Sequence, residues 1–597
     1  MKPIQRSARQ PELLCVFYAA LALAIASVQA APEPVREPAA FGVGVTSVTG
    51  TSARLVFTTS VPVRPAVRVL LEGREVLSLG RESPEEIHAF DLTGLSPDKE
   101  YRVSISGLTG AGREILPAET AFTTRLRPPS KHQWPGLTIF GASADWNRDL
   151  DLDLLARSGV KMARIEVPWF NLMPKGREVD EPYLAKVLGL IAGLKTRGIE
   201  PLVVLDYCVP WAKRLTDTTM TWRHPSFGPP DNLEDWEYYL RTVVSALAGQ
   251  AKYFEIWNEP DAGYLATGSY VERPNLPPPI GRPPFKDNWN YWLGDRYVPM
   301  ISRVRSVLDE LQPGAVVMNG GWNRDYNGRR GDLLFQRGAA PFLDAYAFHT
   351  YSGPPISFAR WFDSIDGGFR QSIDRLFKNH GVQMPLAVTE WGWPAFAESQ
   401  PAKGFTSFDD ARNFFLKSAF YFLSLQRVEI LILFSFGIGP DSRDVDPLFY
   451  MLVNRAADAR LVVQPHFQTF QWLATTFGSR LYRALPAQAK PADRVKAYAI
   501  ELRESGEIYL AAWQDGIPDK DGRIAGLPAR SVEISVPGVK NGTCQVERLD
   551  GDGKVLSASD VRIDDGCFRQ TLDLPEANSN SESAPVLLKI TASPPPG

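Results

Sequence analysis

Two glutamates lie in closely matching contexts in this chain. Residues 253–261 read YFEIWNEPD, and residues 386–394 read LAVTEWGWP. Each stretch is a short apolar run that ends in a carboxylate, Glu259 or Glu390, with an indole nearby and a proline just after. A carboxylate at the end of a buried strand can have a tuned pKa and can hold a sugar. Two such groups, 131 positions apart (259 to 390), predict cleavage of a glycosidic bond by a pair of carboxyl groups.

The elements that must position this pair form a repeating pattern. Between Leu137 and about Ser479, eight apolar runs alternate with stretches of helical periodicity, which predicts a parallel sheet built from βα units. The predicted strands are Thr138–Gly141, Met162–Val167, Pro201–Asp206, Tyr253–Trp257, Ala315–Asn319, Ala345–His349, Leu386–Thr389 and Ile430–Phe434. Eight such units favour a (β/α)8 barrel, an α/β fold with its active site at the carboxyl ends of the strands. Glu259 and Glu390 then follow the fourth and the seventh strand.

Two strand-rich regions flank the predicted barrel at residues 135–480. Short alternating strands, such as Ala53–Phe57 and Ala66–Leu70, predict an N-terminal β-sandwich at residues 41–126, after a linker at 31–40. Strands return at residues 481–592 and predict a C-terminal β-sandwich. The run LTGLSP at 92–97, followed by Tyr101, resembles the tyrosine-corner stretch of fibronectin type III domains over about 85 residues.

The strand positions of the two glutamates resemble those of glycoside hydrolase clan A, whose members are retaining barrel enzymes. The Asn-Glu-Pro sequence at 258–260 matches the clan's acid/base motif, and Thr-Glu-Trp at 389–391 matches its nucleophile strand. The longer string FEIWNEP at 254–260 is most similar to family 39 and its relatives, including exopolysaccharide hydrolases. The resemblance covers the barrel, a little over half of the chain. It implies that Glu259 is the acid/base, that Glu390 is the nucleophile, and that no metal or organic cofactor is needed.

Arg164 is a charged residue in the middle of a predicted barrel strand. A charge there must point into a polar pit or find a buried partner. The resemblance implies that Arg164 lies beside the nucleophile and keeps it ionised. The alternative is a salt bridge on the barrel floor, with Glu166 or another acid.

Three further residues are candidates for contacts with the substrate and the nucleophile. His349 and Tyr351 are two positions apart at the end of the sixth strand, so they share one face. The resemblance implies that Tyr351 donates to the nucleophile, whereas His349 is either a functional or a structural histidine. It also implies that Asn258 bonds the sugar 2-hydroxyl.

Aromatic side chains cluster where the predicted loops leave the strands. Trp211, Trp322 and Trp391 are predicted to stack on sugar rings, with core packing as the alternative for each. A proline-rich stretch at 273–279 either stiffens a wall of the cleft or belongs to a surface loop. Many clan A enzymes have a tryptophan at the end of the eighth strand, but this chain has phenylalanines there, in the sequence FSFG at 434–437.

Charge and cysteine content exclude several classes of function. A net charge of -3 does not indicate the excess of basic residues that is typical of proteins that bind nucleic acid. No cysteine or histidine cluster has the spacing of a metal site.

Cys544 and Cys567, 23 positions apart in the C-terminal sandwich, are expected to form a disulfide if the protein is exported.

The N-terminus has the features of an export signal. Basic residues precede an apolar run from Leu13 to Val28, and Ala30 ends a plausible cleavage site, so residues 1–30 are predicted to be removed. The alternative is an uncleaved membrane anchor. We therefore expect a periplasmic or extracellular protein without stable membrane insertion after cleavage.

These features together favour a retaining glycoside hydrolase that acts on a polysaccharide or an oligosaccharide, with endo cleavage preferred. The first alternative is an exo-acting glycosidase such as a β-xylosidase. The second is a non-catalytic protein of polysaccharide binding or export.

Overall fold

We describe the protein from a computed structural model. The described residues are 37–144, 151–212, 228–261, 290–323, 325, 328–351, 361–393, 407–437, 452–455, 461–515, 517–518, 524–525, 527–576 and 583–592. The predicted signal at 1–30 and the proline-rich stretch at 273–279 lie outside these ranges. No helix within the described residues is both long and apolar enough to cross a lipid bilayer.

A barrel of eight parallel strands forms the centre of the molecule, which confirms the predicted fold. Its strands are β7 (Ile139–Ser143), β8 (Met162–Glu166), β9 (Glu200–Leu205), β10 (Tyr253–Ile256), β11 (Val316–Asn319), β12 (Tyr346–Tyr351), β13 (Leu386–Gly392) and β14 (Val428–Leu433). Each predicted strand begins within two residues of an observed one. Neighbours in sequence are neighbours in the sheet, and β14 returns to pair with β7.

The barrel closes between β11 and β12 by an irregular seam. The isolated bridges Met318–Ala345 and Trp322–Phe348 join the main chains there, and the Asp344 N–H donates to the Val317 carbonyl at 2.7 Å. Between them the side chain of Asn319 takes over the pairing, because its Nδ2 donates to the Ala347 carbonyl at 2.9 Å and its Oδ1 accepts from the Ala347 N–H at 3.0 Å. The chain after β11 therefore stays beside β12 as far as Trp322, and Asn323 follows it at the mouth of the barrel.

Helices follow the barrel strands and surround them. They are α1 (Leu152–Arg157), α2 (Trp169–Leu172), α3 (Glu181–Lys195), α4 (Leu233–Ala246), α5 (Tyr297–Leu311), α6 (Arg329–Gln336), α7 (Gln371–His380), α8 (Phe408–Ser424) and α9 (Phe467–Phe477). N-cap side chains determine where α3 and α8 begin. The Asp180 side chain accepts from the Tyr183 N–H, and Ser407 forms a capping box with Asp410. Two π-helical segments, Asn290–Arg296 and Asp363–Arg370, lead into α5 and α7.

The N-terminal domain is a β-structure of six strands. They are β1 (Ala40–Thr46), β2 (Ser52–Leu71), β3 (Arg74–Gly80), β4 (Glu85–Thr93), β5 (Glu100–Thr109) and β6 (Ala118–Thr123). The two strands predicted at Ala53–Phe57 and Ala66–Leu70 are one strand, β2, whose first half pairs with β4 and whose second half pairs with β3 and β5. The Tyr101 hydroxyl accepts a hydrogen bond from the Ser96 N–H at 2.7 Å.

This domain is docked on the barrel through the segment that precedes α5. Arg54 lies 3.5 Å from Asp295, and the Thr46 hydroxyl donates to the same carboxylate. Gly42 has a φ of +61°, and a Cβ there would lie 2.2 Å from the Arg296 guanidinium. Glycine is thus required at this contact for both conformation and space.

The C-terminal domain is a sandwich of a six-stranded and a three-stranded sheet. The larger sheet contains β17 (Tyr482–Leu485), β19 (Val495–Leu502), β20 (Ile508–Gln514), β24 (Gly542–Leu549), β25 (Val555–Ile563) and β27 (Val586–Ala592). The smaller sheet contains β18 (Gln488–Lys490), β23 (Arg530–Pro537) and β26 (Cys567–Leu574). Short pairs of strands complete the described elements: β15 (Val453–Arg455) with β16 (Leu461–Val463), and β21 (Ile517–Pro518) with β22 (Ile524–Ala525).

The disulfide expected in this domain is not formed. Cys544 and Cys567 are both free thiols in the structure. Cys544 lies on β24 and packs in the apolar core of the sandwich, whereas Cys567 begins β26 in the other sheet and is half-buried. The prediction was wrong because separation along the chain carries no information about whether two side chains on different strands meet.

Candidate active site

The two predicted catalytic glutamates meet at the mouth of the barrel. Trp257 and Glu259 both have positive φ angles, +71° and +43°, so the chain turns sharply after β10. Glu259 thereby reaches His349 on β12, with 2.9 Å between Oε1 and Nδ1. One ligand atom each of Glu259, His349 and Glu390 lies within 4.8 Å of the other two. This is the short carboxyl separation of retaining glycosidases, about 5 Å, rather than the roughly 6.5–9.5 Å of inverting ones.

Two hydrogen-bond donors and the ring of His349 surround the carboxylate of Glu390. Arg164 Nη1 donates to Oε1 at 3.0 Å, the Tyr351 hydroxyl donates to Oε2, and His349 Nδ1 lies 3.2 Å from Oε2. Burial raises the pKa of Glu390 above its usual range, and the positive charges of His349 and Arg164 oppose that rise. The donors therefore favour the ionised form that a nucleophile needs.

Arg164 uses its other nitrogens to bind a second acid and an amide. Its Nε donates to Glu255 Oε2 at 2.8 Å and its Nη2 donates to Asn258 Oδ1 at 3.0 Å. Glu166 is a more distant neighbour, at 3.8 Å. The two contacts predicted as alternatives for Arg164 therefore both exist. It lies beside Glu390, and it forms a fully buried ion pair with another acid, Glu255.

Glu255 is a member of the site that the sequence reasoning missed. Burial opposes its ionisation, but Arg164 and His349 outweigh burial and lower its pKa to about 2. Its Oε1 also accepts from the Gly321 N–H at 2.8 Å and from the Thr389 hydroxyl at 3.1 Å. The available signal was a carboxylate inside the apolar strand β10, which needs a buried cation as its partner.

His349 lies between the carboxylates and is fully buried. Burial disfavours its charged form, but Glu390, Glu255 and Glu259 outweigh burial and raise its pKa to about 10. The side chain is therefore an imidazolium at neutral pH. Gly321 packs against it so closely that a Cβ at this position would lie 2.1 Å from Nε2.

Glu259, His349 and Glu390 are also the one group among the described residues with the donor set of a metal site. Two carboxylates and an imidazole suit zinc, but a ligand imidazole must be neutral. A pKa of about 10 keeps the proton on His349 at neutral pH and opposes metal binding there.

Asn258 is fixed from two sides. Its Oδ1 accepts from Arg164, and its Nδ2 donates to the Tyr207 hydroxyl at 3.4 Å. Asn258 and Glu259 each retain 8% exposure. The predicted contact of Asn258 with a sugar hydroxyl stays a prediction.

The structure corrects the expectation for two tryptophans. Trp391 is fully buried and donates from Nε1 to Ser418 on α8 at 3.0 Å. Because side chains alternate along a strand, Glu390 faces the barrel interior and Trp391 faces the helices. Trp322 is 1% exposed and lies edge-on to Tyr297, so it packs in the core as well.

Two other aromatic rings are only half-buried. Trp211 donates from Nε1 to the Met173 carbonyl at 2.8 Å, and its contact with sugar stays a prediction. Phe434 lies edge-on to Tyr351, with 5.9 Å between ring centroids, whereas Phe436 is 2% exposed. Of the two phenylalanines after the eighth strand, Phe434 is therefore the one that lies beside the site.

Asn323 is a second residue that sequence reasoning missed. Its Nδ2 donates to Glu259 Oε1 at 2.7 Å. Its backbone N–H donates to Asp261 Oδ1 at 2.9 Å, and Arg330 lies 2.6 Å from the same carboxylate. Asn323 lies in the loop after β11 and in no motif, so no sequence signal marked it.

Sequence comparisons find glycosidases as partial matches. The model of glycosyl hydrolase family 1 matches residues 142–288, which include Glu259 but not Glu390. Beta-glucosidase 47 of Arabidopsis thaliana is 28% identical over 234 residues, 35% of this chain and 40% of that enzyme. Aryl-phospho-beta-D-glucosidase BglC of Bacillus subtilis (strain 168) is 30% identical over 132 residues, 21% of this chain and 26% of that enzyme. The chain thus spans less than half the length of these curated relatives.

A comparison of structures finds the same architecture over a longer span. A family 39 glycoside hydrolase from Bacteroides cellulosilyticus WH2 has a TM-score of 0.52 at 13% identity, and covers 92% of this chain and 100% of its own. This likeness shows the fold, a barrel with flanking β-domains. The sequence matches and this structure are all glycosidases, and they come from different glycoside hydrolase families.

Proposed function

We propose that this protein is a retaining glycoside hydrolase with Glu259 as the acid/base and Glu390 as the nucleophile. The observation that carries the proposal is the approach of the two carboxyl groups, which meet within 4.8 Å through His349. Both carboxyl groups lie beside His349, but their other partners differ: Glu390 receives the cationic Arg164 and the Tyr351 hydroxyl, whereas Glu259 receives the neutral amide of Asn323. The partial matches to glycosidases support the same reaction class.

The reaction would proceed in two displacements. In the first, Glu390 attacks the anomeric carbon, the glycosidic C–O bond breaks, and Glu259 gives its proton to the leaving oxygen. In the second, Glu259 takes a proton from water, the water oxygen attacks the anomeric carbon, and the bond to Glu390 breaks. The anomeric configuration is inverted twice and so retained.

The first displacement requires a proton on Glu259 at the start of the reaction. Glu255 and Glu390 then provide two negative charges against the positive charges of Arg164 and His349. Glu166 is a further carboxylate near Arg164, with 9% of its side chain exposed. A second full negative charge within 4.8 Å of Glu390 would repel it strongly in this buried setting.

The proposed substrate is a polysaccharide or an oligosaccharide. Half-buried rings beside the site, such as Phe434, can stack on the C–H face of a sugar. Endo cleavage stays the preferred mode, and an exo-acting glycosidase such as a β-xylosidase is the alternative. A product series from a long oligosaccharide separates the two modes, because single sugars released from the start contradict endo cleavage.

The catalytic proposal is tested by Glu390→Gln and by stereochemistry. The amide cannot act as a nucleophile, so turnover of polysaccharides and aryl glycosides should vanish while sugar binding persists. Proton NMR of the first-formed anomer should show retention. Persistent turnover or an inverted product contradicts the assignment, and a wild type without turnover favours a non-catalytic binding protein.

Export to the periplasm or the cell exterior is a separate proposal, supported by residues 1–30 alone. Cell fractionation and sequencing of the mature N-terminus test it. A mature chain that begins near Ala31 supports cleavage, and an intact N-terminus in the membrane fraction supports the anchor.

A further inference from the structure

One oxygen of the Glu259 carboxyl is fully engaged by the protein. Oε1 receives Asn323 Nδ2 at 2.7 Å and His349 Nδ1 at 2.9 Å. We propose that Asn323 is a positioning residue that fixes the catalytic proton on the other oxygen, Oε2. The proposal rests on the acid/base role given to Glu259 above.

The argument begins with the lone pairs of the carboxyl group. A carbonyl-type oxygen has two lone pairs, and the two donors at Oε1 use both of them. An amide nitrogen donates and does not accept, so Asn323 Nδ2 cannot take the proton from Glu259. No described residue forms a hydrogen bond to Oε2. A protonated Glu259 therefore carries its proton on Oε2, which is left for the glycosidic oxygen.

The loop that follows Glu259 fixes the position of the Asn323 amide. Asp261, two residues after the acid/base and 7% exposed, accepts the backbone N–H of Asn323 at 2.9 Å. Arg330 holds the other side of the Asp261 carboxylate, with Nη1 2.6 Å from Oδ2. Glu259, Asp261 and Asn323 thus form a closed ring of covalent and hydrogen bonds. A half-turn of the protonated Glu259 carboxyl would place its O–H against the N–H of Asn323, two donors facing each other, so the group keeps its orientation.

The consequence for the reaction is a stronger contact in the transition state than in the ground state. In the first step the proton leaves Oε2 for the leaving oxygen, and Glu259 becomes an anion. Hydrogen bonds to an ionised acceptor are roughly twice as strong as neutral ones. The Asn323 contact therefore gains strength as the proton moves, which lowers the barrier rather than the KM. In the second step Oε2 takes the proton from water.

Asn323→Ala tests this role with two leaving groups. The phenyl and the 2,4-dinitrophenyl glycosides of a sugar that the wild type hydrolyses differ in their need for protonation. We expect kcat/KM to fall about 10- to 100-fold for the phenyl glycoside and less than about threefold for the dinitrophenyl glycoside. The basic limb of the pH profile of kcat/KM should move to higher pH, because the ionised carboxylate of Glu259 loses a hydrogen-bond donor. Equal losses on both substrates, or an unmoved limb, overturn the proposal.

A conservative variant and a control complete the kinetic test. Asn323→Asp keeps the shape but places a negative charge beside Oε1, so the basic limb should move further up than in Asn323→Ala. Asn379→Ala, an exposed change on α7, should leave kcat/KM for both glycosides and the position of the basic limb unchanged. Thermal unfolding of each variant checks its fold. A basic limb that also moves in Asn379→Ala contradicts the role proposed for Asn323.

A readout independent of turnover separates this inference from the proposed function. The titration of the Glu259 carboxyl can be followed by carbon-13 NMR, with Glu259→Gln for the assignment. Asn323→Ala should move that titration to higher pH whether or not the protein turns over any glycoside. An unmoved titration overturns the role of Asn323, whereas a wild type that hydrolyses no glycoside overturns only the reaction.

Discussion

Nη1 of Arg164 donates to Oε1 of Glu390 at 3.0 Å across the interior of the barrel. The same guanidinium binds Glu255 by Nε and Asn258 by Nη2, so one planar group fixes three side chains on two other strands or their ends. Its side chain is fully buried. The orientation of the proposed nucleophile therefore depends on a residue that is out of reach of a substrate.

Arg164→Lys should show that the shape of the guanidinium matters and not its charge alone. A lysine ammonium is a single point of contact and cannot span Glu255 and Glu390 as the guanidinium does. We expect kcat to fall at least about 100-fold and the protein to lose stability, because lysine pairs the buried Glu255 less completely. Arg241→Lys, at an exposed ion pair with Glu310, is the control and should change neither quantity. Near-normal kcat in Arg164→Lys contradicts this reading.

Gly321→Ala should displace His349. The added methyl would lie 2.1 Å from Nε2 of the imidazole and 2.6 Å from the Thr389 hydroxyl, so the ring must leave its position between the carboxylates. We expect a loss of kcat/KM of about 100-fold, since a displacement of about 1 Å at a catalytic site has an effect of that size. Gly189→Ala on α3, where a Cβ meets no atom within 4 Å, should leave activity intact. Similar kinetics in both variants would show that the contact is unimportant.

The stability of the protein should depend on pH through His349. Its folded pKa of about 10 lies above the unfolded value of 6.5. Its contribution is therefore fully present below pH 6.5 and is lost as the pH rises through 10. The unfolding free energy should fall by a few kcal/mol over this window in the wild type and by less in His349→Gln. Urea unfolding at several pH values measures the difference, and parallel curves for the two proteins contradict the charge assigned to His349.

Tyr351→Phe should alter the ionisation of the nucleophile. The Tyr351 hydroxyl lowers the pKa of Glu390 by donating to it, so its removal should raise that pKa. The acid limb of kcat/KM should then move to higher pH, with a loss of about tenfold near neutrality. Tyr238→Phe, an exposed change on α4, serves as the control. An acid limb that stays in place would mean that another group fixes the ionisation.

Local patterns allowed the barrel and the strand ends to be predicted from the sequence. Apolar runs of four to six residues define strands wherever they pack, and the starts of all eight followed from them. The orientation of Trp391 was within reach too, because its strand alternates and Glu390 must face inward. Treating the tryptophan as a neighbour of Glu390 in sequence, rather than as its opposite across the strand, caused that error.

The rest of the site depends on contacts between distant parts of the chain. Asn323 reaches Glu259 across 64 positions because it follows Trp322, which is bridged to β12 at the mouth of the barrel. No periodicity or motif marks such a residue. The pairing state of Cys544 and Cys567 was equally out of reach, because it depends on whether two side chains on different strands meet.

The contact of the N-terminal domain with Asp295 and Arg296 has a consequence for biosynthesis and inheritance. The N-terminal domain precedes the segment Asn290–Arg296 in the chain, so its synthesis is finished before that segment is made. A recombination event that joined this barrel to a foreign leading domain would leave the carboxylate of Asp295 without Thr46 and Arg54. Selection should therefore keep the two domains together as one hereditary unit, and an exchange would require matching changes on both sides of the contact.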